Sequence, residues 1–185
     1  MRAVLDRLYA ASLWLSALCI LAIAVLVGLQ VGGRILDALL KLVGARETGF
    51  VILSLSEFAG YLLAAASFLA LAGTLKGGVH IRVTMILGML PESVRRMVEV
   101  AGLAFAVVVS AYGTWYLGRL AYDSWRFNEL SSGLVPVPLV YPQAAMALGA
   151  ALLVVAFLDE CLITLRRGRP SFRATEDAIT LGQEG

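Results

Sequence analysis

LYAASLWLSALCILAIAVLVGLQV, residues 8–31, runs for 24 residues without a charge. As a helix rising 1.5 Å per residue it reaches about 36 Å, enough to cross a hydrocarbon core of about 30 Å. It is too long for the apolar core of a cleavable leader, roughly 7–15 residues. No small-x-small pattern follows it, and the large Leu18 precedes Cys19 where a lipoprotein signal needs a small residue. The stretch is therefore expected to stay in the protein as a membrane-spanning helix.

Three further runs share this character. Phe58–Leu75 is uncharged and has an apolar lead-in, Phe50–Leu55; Val100–Leu117 and Val137–Leu158 follow. With their flanks the four spans are expected near residues 8–33, 53–75, 97–118 and 138–160. Backbone polar groups in lipid must be satisfied within the segment, which selects helices over the shorter, alternating strands of a barrel. Apolar residues make up 60% of the chain and charged ones 15%. A soluble domain could not bury four such helices and still cover them with polar surface. The fold expected is an all-α membrane protein, with residues 1–165 as one four-helix domain and 166–185 as a disordered tail.

Lysine and arginine set the expected orientation. Arg2 and Arg7 precede the first span; Lys76, Arg82, Arg95 and Arg96 lie between the second and third; Arg166, Arg167, Arg169 and Arg173 follow the fourth. These ten share one side, and the opposite side has five: Arg34, Lys41, Arg46, Arg119 and Arg126. The bias puts both termini in the cytoplasm, with Arg95, Arg96, Arg166 and Arg167 at lipid headgroups.

The connecting segments carry patterns of their own. Arg34, Asp37 and Lys41 share one face of a turn-by-turn repeat whose other positions are apolar, which predicts an amphipathic helix lying in the outer interface after the first span. Thr84–Leu90 predicts a short helix in the cytoplasmic loop, and Pro91 then opens the third span. Pro142 predicts that the fourth helix starts near Tyr141.

Few residues could carry chemistry. Glu57 stands at the outer start of the second span, either as an ion or proton site or as a boundary residue bonded to headgroups or a neighbouring helix; its edge position favours the boundary role. Gln30 is expected to reach the interface rather than bond across helices, and Gly28 and Gly32 form a small-xxx-small pair that would permit close helix packing. His80 is the only histidine, so a bis-histidine haem held by this chain alone is excluded. Cys19 and Cys161 fall at different depths and are expected to be free thiols. A zinc site, a serine–histidine–acid triad and a phosphate-binding loop all lack their residues. A net charge of +2 without a basic, aromatic-laced stripe gives no reason to expect nucleic acid. At mid-membrane the only hydroxyls are Ser16, Ser67 and Ser110, too little to coordinate an ion or polar solute. A supporting subunit is expected, not an enzyme.

Four spans, a glutamate at the outer start of the second, the loop Val79-His80-Ile81-Arg82-Val83 followed by Met89-Leu90-Pro91, the loop Ser131-Ser132-Gly133-Leu134-Val135-Pro136 and the pair Tyr141-Pro142 together resemble the small, Q-type membrane subunit of TRAP (tripartite ATP-independent periplasmic) transporters. The resemblance covers roughly Leu8 to Leu165; Thr84 stands where that family often has aspartate. It implies a large multi-span membrane subunit that holds the solute and sodium, a periplasmic protein that captures an organic acid, and a small subunit that braces the large one in the inner membrane of a bacterium or archaeon. It makes Glu57, His80 and Arg82 candidates for structural or inter-subunit contacts, with no cofactor on this chain. Two other readings compete: a membrane anchor of a respiratory enzyme, which predicts haem or a soluble oxidoreductase partner, and a small proton-coupled exporter, which predicts transport by the chain alone and its loss in Glu57→Gln.

Overall fold

The computed structural model describes residues 2–76 and 91–167. Among them are four helices long and apolar enough to cross a membrane: α1 (Arg2–Leu42), α2 (Leu55–Lys76), α3 (Glu92–Arg126) and α4 (Val140–Arg167). The expected spans lie within these helices apart from the first two residues of the second and of the fourth. α1 and α3 run further at both ends, and α2 and α4 at their C-terminal ends. The helix expected at Thr84–Leu90 lies outside the described residues.

The segment 34–42 is helical, but it is not a separate helix turned into the interface. It continues the first span as one helix of 41 residues. Nothing between Val31 and Arg34 supplies a proline or a new cap. The backbone turns only at Gly44, which takes the left-handed φ of 70°. In α4 the helix begins at Val140, so Pro142 occupies the first turn, where its missing N–H is not needed. Pro91 caps α3 from outside with an extended backbone, and α3 ends at Arg126, after which the Phe127 N–H returns to the Asp123 carbonyl and the Asn128 N–H to the Trp125 carbonyl.

The helices stand in a row. α1 packs along α2, α2 along α4, and α4 along α3. The two central helices therefore carry most of the buried residues. On α2 these are Ala65, Ala66, Leu69, Ala72, Gly73 and Leu75. Small side chains let backbones approach, which is how helices gain dispersion contact where lipid competes for every apolar surface. Backbone meets backbone at Gly149, where a Cβ would overlap the Phe68 carbonyl on α2. The side chain of Leu13 fills the space beside Gly73 in the same way. Tyr9, Ala72, Leu75 and Ala156 form the core where α1, α2 and α4 meet.

Candidate functional site

Polar side chains gather at the two ends of the row. At the end where α1 begins and α4 finishes, Lys76 closes the last turn of α2 and donates to Asp159 (2.5 Å) and Glu160 (3.0 Å) on α4. The Glu160 side chain is fully buried, and Lys76 and Asp159 are about one-fifth exposed (19% and 21%). The buried Tyr9 of α1 places its ring 5.8 Å from the Lys76 ammonium, within reach of a cation–π attraction. Thr164, one turn past Glu160, bonds back to its carbonyl. Nearby, Arg96 of α3 donates to the Leu165 carbonyl at 2.7 Å, which meets the negative end of the α4 dipole. Arg95 pairs with Glu99 one turn on, at 3.7 Å. These groups tie all four helices together at one level.

At the opposite end the loops are tied to the helices. Asp37 accepts from the Thr48 amide (2.7 Å), the Thr48 hydroxyl (2.5 Å) and the Gly49 amide (3.1 Å), so the α1 extension holds the following loop. Gln30 accepts from the Ile52 amide at 2.6 Å. Ser54 accepts from the Val135 amide, and Ser131 donates to Glu57 at 3.4 Å. The loop between α3 and α4 is itself folded, with an antiparallel bridge from Leu130 to Pro138.

The sequence candidates that fall among the described residues take the following places. Glu57 lies in the first turn of α2, half-buried, with its carboxylate packed onto Gly133 where a Cβ would collide; this is a structural contact between α2 and the last loop. Gln30 is 7% exposed and bonds across to the lead-in of α2, which corrects the expectation that it reaches the interface. The space beside Gly28 and Gly32 is open, so this pair packs against nothing among the described residues; Gly33 does, against Phe50. Arg96 braces α4 rather than standing free among headgroups, while Arg166 is exposed. Cys19 and Cys161 are free. His80, Arg82 and the side chain of Arg167 lie outside the described residues.

Sequence reasoning missed the Lys76–Asp159–Glu160 cluster. The signal was present: a lysine and an acidic doublet each continue an apolar run, and charges kept at that depth are usually paired. The hydroxyls along the spans, by contrast, are spent on backbone. Ser16 donates to the Ala66 carbonyl, Ser67 to Leu63, Ser110 to Ala106, Thr74 to Ala70 and Thr114 to Ser110. No group of three or more histidine, cysteine or acidic side chains suited to a metal occurs among the described residues.

Four apolar helices with polar contacts at both ends, and hydroxyls turned onto carbonyls between them, define a membrane-embedded protein built for packing. Residues 23–167 match the family of tripartite ATP-independent periplasmic transporters, DctQ component. The match spans most of the chain, which belongs to that family: it is a small membrane subunit of a TRAP transporter and not an enzyme. No curated protein matches the sequence.

Proposed function

We propose that the chain is the fixed scaffold of a sodium-coupled secondary transporter that imports an organic acid. In this reading a large membrane subunit carries the solute and sodium, and a periplasmic binding protein delivers the solute. The chain sits in the inner membrane of a bacterium or archaeon with both termini in the cytoplasm, as its basic residues favour.

The observation that carries the scaffold role is the use of the hydroxyls. A solute path needs polar groups facing a cavity at mid-depth, yet Ser16, Ser67 and Ser110 each bond a helix carbonyl instead. The charged cluster at Lys76 fastens helices to one another, which suits a part that holds still while its partner moves.

Reconstitution tests this directly. Liposomes with this chain alone should show no sodium-dependent uptake, and adding the large subunit and the binding protein should restore it. Uptake by the chain alone would refute the proposal. An affinity tag on this chain should also bring down a larger many-span protein, and its absence would count equally against the scaffold role.

A further inference from the structure

The opposite end of the row, where α1 finishes and α2 begins, contains an open groove of about 640 Å³ between α1, the lead-in to α2 and the last loop. That volume falls in the range of small-molecule pockets, roughly 300–1,000 Å³. One wall is apolar and belongs to membrane-spanning helices: Val27 and Val31 of α1 and Leu55 of α2. The rim carries two opposite charges, Arg34 and Glu57. They do not pair. Arg34 makes no hydrogen bond or ion pair among the described residues, and Glu57 makes only its long bond from Ser131. An exposed guanidinium and a half-used carboxylate thus face the same space above an apolar wall.

We infer that this groove binds a zwitterionic phospholipid with a primary-amine headgroup, its phosphate on Arg34, its ammonium on Glu57 and its acyl chains along Val27, Val31 and Leu55. Charge complementarity selects this occupant. A guanidinium donates two parallel hydrogen bonds to a phosphate, and a carboxylate accepts from a primary ammonium. A choline headgroup offers the same charges but no N–H to Glu57, and a glycerol headgroup offers no cation at all. The apolar wall continuing into the spans suits acyl chains and not a soluble anion.

The test uses the transporter purified as its complex with the large subunit. The complex is equilibrated with equal amounts of phosphatidylethanolamine, phosphatidylcholine and phosphatidylglycerol of one acyl composition. Retained lipid is read by native mass spectrometry. Phosphatidylethanolamine should be retained about fivefold over phosphatidylcholine, the scale of one charge-assisted hydrogen bond at a wet interface. Glu57→Gln should bring the two to equal retention without lowering total phospholipid, because the amide preserves the size of the side chain and its bond to Ser131. Arg34→Gln should lower retention of all three. Arg46→Gln, in the exposed loop beyond α1, should leave the pattern unchanged. Equal retention of the three lipids by the unaltered complex overturns the inference, as does an unchanged pattern in both Arg34→Gln and Glu57→Gln. A crosslink from this groove to the large subunit or binding protein, with no lipid retained, also overturns it.

Discussion

Lys76→Met should be among the most damaging single substitutions in the described helices. The methionine keeps the length of the stem and removes the ammonium. Asp159 and the fully buried Glu160 then lose their shared cation, beside a core of Tyr9, Ala72, Leu75 and Ala156. Removing one partner from a buried pair costs about 3–5 kcal/mol because the remaining charge stays desolvated. Lys76 and Asp159 retain some access to solvent, at 19% and 21%, so the low end, about 3 kcal/mol, is expected. Asp159→Asn should cost less, about 1–2 kcal/mol, since the amide still accepts from the lysine. The two changes together should cost less than their sum, with a coupling of at least about 1 kcal/mol. Unfolding by dodecyl sulfate in mixed micelles, followed by helical circular dichroism, measures all four corners of the cycle. Lys76→Met as stable as the unaltered chain, or strict additivity in the double variant, would refute the claim that this cluster clamps α2 to α4.

Three other outcomes follow from the packing. Gly149→Ala forces a methyl against the Phe68 carbonyl and should cost about 1–3 kcal/mol in the same assay. Gly28→Ala and Gly32→Ala meet open space and should leave the stability of the isolated chain unchanged; any loss should appear only in co-purification with the large subunit. Gln30→Leu strips the Ile52 amide of its acceptor, at about 1–3 kcal/mol for an unsatisfied buried group, and should speed hydrogen exchange at Ile52 in mass-spectrometric peptides.

The four spans were legible because lipid imposes a single requirement, an uncharged run of sufficient length, and that requirement shows in one dimension. Pro142 and Glu57 were readable for the same reason: each marks where a helix starts. Which helix stands beside which was not legible. A membrane helix is apolar on every side, so no stripe identifies its partner, and small residues occur on packed and open faces alike. Gly28 and Gly32 fit the close-packing pattern and face open space, whereas Gly149, set among alanines, sits against a neighbouring backbone. The pairing of Lys76 with residues 83 and 84 positions away depended on the order of helices in the row. Gln30 was misjudged because its acceptor role needs the lead-in to α2 to fold back over α1, which periodicity does not encode.

A single file of helices has a mechanical consequence. Such a palisade resists stretching across its width, because each post is keyed into the next by small residues. Among the described residues no second layer opposes curling about lines parallel to the posts. Its stiffness against that motion must be borrowed from whatever lies flat along a broad side, so the wall and its neighbour become rigid only as a laminate.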